Sequence, residues 1–271
     1  MPELPEVEVT RLGLKPLLNL SISGLVIRNY SLRWPIDPEL PKLLKNQILI
    51  NLSRRGKYIL AKFTSGTLII HLGMSGRLCI VSSKETLKKH DHVDIKFKEN
   101  NIILRYCDPR RFGSILWTDE DPIKHKLIKN LGPEPLNKEF DAKYLFSRLR
   151  NKEQCIKNTI MDSHVVVGVG NIYASEALYY SGIRPQRRSK KVSMKEVNSL
   201  VKAIKNVIKD AIKKGGSTMS DFFDVNGKNG YFQNEHKVYG RENKECIQCE
   251  FLITQIKLGQ RSSFYCKKCQ K

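Results

Sequence analysis

Four cysteines close the chain in two pairs, Cys246-x-x-Cys249 and Cys266-x-x-Cys269, with sixteen residues between the pairs. Two such knuckles can fold into a tetrahedral thiolate cage, the arrangement zinc prefers. All four ligands come from protein, which leaves no open position for water, so the expected role of one Zn2+ is structural. The intervening "ITQIKLGQRSSFYC" reads as a β-hairpin with "LGQRSS" at its turn. That turn would present Arg261 outward, where a guanidinium can grip a phosphate with two hydrogen bonds, or stand simply as a solvated side chain. At the other end, "MPELPEVE" places Glu3, Glu6 and Glu8 directly behind Pro2. Read on its own this is a well-made helix start: proline gives up an amide hydrogen that has no partner there, and carboxylates complement the positive end of the helix dipole. The apolar residues behind it fit a helix to about Leu18 only loosely.

These groups have to be positioned by the rest of a basic chain. Its 271 residues carry 48 Lys and Arg against 27 Asp and Glu, a net charge of +21, and that field attracts polyanions such as nucleic acid or an anionic membrane. There is no apolar run of bilayer length and no signal-peptide core, so a cytoplasmic protein is expected. The odd count of seven cysteines, four of them clustered, suits a reducing compartment and a metal site better than a disulfide framework. From Gly24 to Trp117 short β-branched runs follow one another ("GLVIRNY", "QILINL", "KYILAKF", "GTLIIHLGM", "RLCIV", "HVDIKF", "NIILRY"), the pattern of a sandwich or barrel. "TDEDPIKHKLIKNLGPEPLNKEF" mixes acids, prolines and glycine as a connection would. Helical signals follow over 139–150, 153–161, "GNIYASEALYYSGI", and "KEVNSLVKAIKNVIKDAIKKGG", which Gly215 and Gly216 stop.

Several further residues have an ordinary reading when taken alone. Lys57 in "SRRGKYIL" is an exposed residue at a strand start, His71 a hydrogen-bonding core histidine, and Asn171 in "GVGNIYA" a helix cap. Met74 and Phe112 would be core residues, although the glycine-rich "LGMSG" and "RRFG" favour loop tips. "KHDHVD" holds His90, Asp91, His92 and Asp94 without a closed ligand set, and is read as structural.

Together, "PELPEVE", "HLGMSG", "YCDPRRFG" and the stretch from "GVGNIYASEAL" to "GQRSSFYCKKCQ" resemble the bacterial formamidopyrimidine-DNA glycosylases, which remove oxidised purines from DNA. The resemblance spans essentially the whole chain with the motifs in order. It implies an α+β fold: an N-terminal β-sandwich with flanking helices, then a helical domain with a helix-two-turn-helix element, then a zinc-finger β-hairpin, with DNA bound in the cleft between. The domains expected are 1–120 (catalytic sandwich), 121–135 (linker), 136–240 (helical, with a lesion-covering loop) and 241–271 (finger). The partner implied is double-stranded DNA containing oxidised bases or abasic sites, bound by a monomer that does not engage membranes.

Carried onto this sequence, the resemblance makes the amine of Pro2, freed by removal of Met1, the nucleophile, and Glu3 the acid and base. Glu6 supports the amine, while Glu8 is expected to be a solvated carboxylate on the outer face. Lys57 counts with the catalytic residues as the lysine that approaches phosphate beside the lesion. His71, Asn171 and Arg261 join it in binding the DNA backbone. Met74, Arg110 and Phe112 fill the stack vacated by the everted base, and specificity contacts come from Thr218 to Phe223 in the covering loop. The chain departs from the family pattern at Ser163, Val167 and Lys267, none of which touches this chemistry. Two rivals remain: an endonuclease VIII type that prefers oxidised pyrimidines, and a noncatalytic zinc protein that binds nucleic acid, which would leave Pro2 and Glu3 without a task.

Overall fold

A computed structural model describes residues 2–99, 101–217 and 232–271; the expectations for Met1 and for Thr218 to Phe223 lie outside the described residues. The chain divides into two compact units, one running through Lys129 and taking back Gly215, Gly216 and Ser217, the other formed by Asn130–Lys214 and Phe232–Lys271.

The first unit is a sandwich of two antiparallel four-stranded sheets. β1 (Ile22–Ile27), β6 (Asp91–Phe97), β7 (Ile102–Cys107) and β5 (Arg77–Ser82) form one, and β2 (Leu49–Arg55), β3 (Tyr58–Phe63), β4 (Thr67–His71) and β8 (Ser114–Thr118) the other. Alternation along the strands sends Ile59, Ala61, Phe63, Leu68 and Ile70 of one sheet into the same core as Leu78, Val93, Ile95, Leu104 and Tyr106 of the other. The seven quoted strand runs did not include β8, whose residues follow the arginine-rich turn directly; β4 pairs with it from Thr67↔Thr118 to His71↔Ser114. Val7 of α1 (Leu4–Gly13) packs onto this core, Leu14 and Leu17 follow it in, and Leu40 and Leu44 of α2 (Leu40–Leu44) join them. The helix ends earlier than Leu18: Pro16 has no amide hydrogen to continue the helical ladder, and the chain tightens into a 3-10 turn over Lys15–Leu17.

In the second unit, α3 (Ala142–Arg150) starts where Asp141 accepts the Tyr144 amide at 2.7 Å. The short α4 (Ile156–Ile160) precedes α5 (Asn171–Tyr180). The amphipathic α6 (Met194–Lys213) opens on a capping box between Ser193 and Glu196 and buries Val197, Leu200, Val201, Ile204, Val207 and Ile208. After it, Gly215 and Gly216 take φ of +77° and +81°, a turn that side-chain-bearing residues resist. The finger hairpin pairs β9 (Ile253–Leu258) with β10 (Arg261–Cys266), and Ile253 and Phe264 share a small core with Tyr179 and Val238. Among the described residues no helix is long and apolar enough to cross a membrane.

Candidate functional site

Pro2, Glu3 and Glu6 are buried where α1 begins. Glu6 Oε2 accepts the Glu3 amide at 2.8 Å, and Oε1 accepts the Ser217 amide at 2.8 Å. One carboxylate therefore fixes the first turn and a segment far along the chain at once. Gly216 makes the approach possible, because a Cβ there would stand 3.0 Å from Glu6 Oε1. Glu8 departs from expectation. It is only partly exposed and bonds Arg11 Nη2 at 2.6 Å and Arg54 Nε at 2.9 Å, tying α1 to β2. Burial pushes its pKa up, but the hydrogen bonds and charge of Arg11 and Arg54 outweigh that and hold it below the ordinary value.

Lys57 sits in the two-residue turn between β2 and β3, one position before the strand where its sequence context puts it, behind Gly56 at φ +58°. His71 ends β4 and pairs across to Tyr58, ring centroids 4.8 Å apart. Burial, with the charges of Lys57 and Arg33, lowers its pKa to about 4, so the ring is neutral near pH 7. Its Nδ1 accepts the Gly73 amide at 3.0 Å, which leaves the proton on Nε2 as a donor.

Met74 lies in the β4–β5 turn, and Arg110 and Phe112 in the β7–β8 turn. Met74 and Phe112 are 37% and 44% exposed, large apolar side chains left outside the core. The Arg110 guanidinium stacks 4.8 Å from the Phe112 ring centroid. The two turns touch: a Cβ on Gly73 would meet the Phe112 backbone at 2.4 Å. Arg33, Arg110 and Arg111 line a groove with Phe112, a basic surface around the exposed ring.

In the second unit Asn171 is the first helical residue of α5, with Gly170 in the capping position, so its side chain is not the cap. Its Oδ1 accepts from Lys157 Nζ at 2.6 Å, and its Nδ2 donates to the Ser262 carbonyl at 3.1 Å and lies 3.4 Å from Tyr239 Oη. Arg261, exposed at the start of β10, is the neighbour of Ser262, so the structure brings Asn171 and Arg261 to the same hairpin. Its turn uses Gly259 and Gln260 at φ +52° and +62°. Sequence reasoning passed over Lys157, buried and also bonded to Ser263 Oγ at 2.6 Å. It also passed over Tyr239, whose backbone joins those of Lys237 and Val238 in donating to the buried carboxylate of Glu176 at 2.8–3.0 Å. Burial raises the Glu176 pKa against these donors. Neither Lys157 nor Glu176 carries a local signal; both matter through partners distant in sequence.

The four cysteine sulfurs lie within 4.8 Å of one another, with Cys246 and Cys269 at 3.8 Å and Cys249 and Cys266 at 3.5 Å. Four thiolates around a zinc at about 2.3 Å require separations of about 3.8 Å, so the donor set fits that ion. In "KHDHVD" the side chains have other tasks. Asp94 bonds Arg28 and Arg105, Asp91 pairs with Arg105 at 3.5 Å, and His92 Nε2 lies 2.9 Å from the Asp108 carbonyl.

A family model described as "Formamidopyrimidine-DNA glycosylase N-terminal domain" matches residues 1–115, and one described as "Formamidopyrimidine-DNA glycosylase H2TH domain" matches 131–223. The chain is similar to a formamidopyrimidine-DNA glycosylase of Methylobacillus flagellatus, 48% identical over 271 residues that cover 100% of this chain and 97% of that one. It is similar to a mutant Lactococcus lactis Fpg solved with DNA containing Fapy-dG, at a TM-score of 0.91 and 32% identity with 100% of both chains covered. The same figures hold for the wild-type Lactococcus lactis protein solved with DNA containing an oxidised pyrimidine.

Proposed function

Because the chain belongs to the formamidopyrimidine-DNA glycosylase family and is thereby a DNA repair glycosylase, we propose that it excises oxidised purines, 8-oxoguanine and formamidopyrimidines, and then cleaves the abasic site by β,δ-elimination through Pro2. The support is the fixing of the N-terminus: the Glu3 amide, one bond from Pro2, is held by Glu6, and Glu6 is held by Ser217. A nucleophile tethered there works with its orientation already established.

With Met1 removed, Pro2 is a secondary amine whose ordinary pKa near 7.7–8 leaves a usable neutral fraction at working pH. Its lone pair attacks the sugar carbon C1′, the C–N bond forms, and the bond to the damaged base breaks as the base leaves with the electron pair. The amine then loses its proton. Protonation of the ring oxygen by Glu3 opens the sugar to an iminium, cationic without a further proton. That charge acidifies C2′; removal of its proton expels the 3′ phosphate, and a second elimination expels the 5′ phosphate. Hydrolysis of the iminium returns the amine.

Lys57, neutral His71 through Nε2–H, Asn171 and Arg261 bind the DNA backbone in this reading, with Tyr239 beside Asn171. Met74 and Phe112 supply apolar volume for the vacated stack, and Arg110 hydrogen-bonds the orphaned cytosine. One structural Zn2+ held by Cys246, Cys249, Cys266 and Cys269 supplies folding energy to the hairpin. Catalysis belongs to 1–120 and grip to 136–240 and 241–271, in a monomeric cytoplasmic enzyme whose partner is damaged double-stranded DNA.

Duplexes containing an abasic site, 8-oxoguanine or thymine glycol test this. The expected result is excision and strand cleavage at 8-oxoguanine ahead of thymine glycol, with borohydride trapping a covalent adduct that peptide mapping assigns to Pro2. Protein that retains Met1 has an amide in place of the amine and is expected to bind but not trap. Linkage at Lys57, or equal trapping with Met1 retained, names another nucleophile. Preference for thymine glycol names the pyrimidine-selective rival, a reading that the Lactococcus lactis complex with an oxidised pyrimidine keeps open.

A further inference from the structure

The aspartate of "YCDPRRFG" has no part in the chemistry above, yet it is completely buried, at 0% exposure, among three donors. Its Oδ1 accepts from Ser75 Oγ at 2.7 Å. Its Oδ2 accepts from Tyr106 Oη at 3.1 Å and from the Gly113 amide at 2.9 Å. The Ser75 oxygen, its hydrogen committed to Asp108, accepts the Arg110 amide at 3.2 Å.

These bonds converge on two turns. Ser75 follows Met74, Gly113 follows Phe112, and Arg110 is reached through the Ser75 hydroxyl. We infer that Asp108 is a positioning residue which, through Ser75 and Gly113, sets the placement of Met74, Arg110 and Phe112 relative to one another; the inference rests on the stack-filling role proposed above for those three.

The surroundings make the carboxylate hard to replace. A Cβ on Gly113 would stand 1.8 Å from Tyr106 Oη, and one on Gly76 would stand 2.8 Å from it, so the phenol is wedged between the turns and donates into the carboxylate. The Asp108 backbone carbonyl also accepts the Arg111 amide at 3.1 Å and faces His92 Nε2. Arg111 is held at φ +56°, a conformation L-residues avoid, so the turn is defined by these bonds and not by backbone preference. Met74, Arg110 and Phe112 are themselves exposed and cannot lock one another through burial. The anchor below them has to supply the rigidity.

An asparagine at 108 keeps one acceptor but turns an NH2 toward the Gly113 amide or the Ser75 hydroxyl. Ser75→Ala removes the relay to Arg110 and leaves the carboxylate bonded to Gly113 and Tyr106. The measurement is the ratio of lesion excision opposite cytosine to excision opposite adenine, taken on the same sample, so that any unfolded fraction cancels. Ser75→Ala and Asp108→Asn are expected to reduce that ratio about tenfold, the scale of one base-reading side chain, approaching Arg110→Ala. If Arg110→Ala loses the preference while Ser75→Ala and any soluble Asp108→Asn keep it, the inference is overturned and the stack-filling reading stands. If Arg110→Ala keeps the preference, the stack-filling reading fails, and the inference with it.

Discussion

Two hairpin turns in this molecule each open on a left-handed glycine and present a cation, and they are supported in opposite ways. Between β2 and β3, Gly56 at φ +58° leads into Lys57; between β9 and β10, Gly259 and Gln260 at +52° and +62° lead into Arg261. The first stands on a sandwich core that includes Leu52, Ile59, Ala61 and Phe63. The second stands on a handful of buried residues, two of them the cysteines Cys246 and Cys266. A glycine-led turn in both places does not give the two sites the same support: apolar burial carries the first hairpin, whereas the second rests on a small core around its clustered cysteines and on hydrogen bonds from the buried Lys157.

The strongest way to break the comparison is to remove the cage. Cys249→Ser, or a strong chelator, is expected to lower duplex affinity roughly 10–100-fold, the scale of losing one charge-assisted phosphate contact, while near-ultraviolet dichroism of the sandwich persists. Unchanged affinity after chelation would show that the finger hairpin stands without metal.

Lys157→Met comes next. It strips donors from Asn171 Oδ1, the Ser262 carbonyl and Ser263 Oγ, and the expected loss is about 2–3 kcal/mol in denaturant unfolding of the second unit, with weaker DNA binding. Wild-type stability and affinity would mean that the lysine does not join α4 and α5 to the hairpin.

Arg261→Ala and Arg110→Ala sharpen the contrast between grip and reading. The first is expected to weaken damaged and undamaged duplexes alike and to flatten the salt slope by about one phosphate. The second is expected to cost discrimination for the opposite base more than affinity. Titrations at several salt concentrations decide, and matching profiles would erase the distinction.

The smallest effect separates His71 from the rest of the sandwich. Its folded pKa of about 4 lies below the ordinary 6.5, so the unfolded chain binds the proton first as pH falls. The stability it contributes is full above pH 6.5 and drains between 6.5 and 4, approaching about 1.4 kcal/mol per pH unit. His236 of the second unit, also lowered to about 4 by burial, behaves alike. His71→Asn is expected to remove only its own share of the slope, read by unfolding at pH 7 and pH 5; an unaltered slope would show that His71 is not held neutral.

Much of this was legible in the chain. Short β-branched runs marked seven of the eight sandwich strands, and the apolar spacing from Val197 to Ile212 matches α6. The cysteine spacing foretold a cluster that the structure assembles. What escaped was tertiary in origin. Glu8 looked solvated because Arg54 is 46 residues away. Asn171, taken alone, reads as a helix cap because its partners, Lys157, Tyr239 and Ser262, lie on three other segments. Asp108 sat inside a quoted motif without a task until the geometry of Ser75 and Gly113 gave it one.

The bond from the Ser217 amide to Glu6 spans 211 positions, which gives it a meaning in time as well as in space. At the 5–20 residues per second of protein synthesis, Glu6 waits roughly 10–40 s before its partner is made. The second unit's Asn130–Lys214 segment is translated in between. The sandwich strands are complete by Thr118 and can pair as they emerge, but the N-terminal turn acquires its bond to Ser217 only late in translation. A nascent chain therefore assembles a folded scaffold well before its N-terminal turn is locked to Ser217.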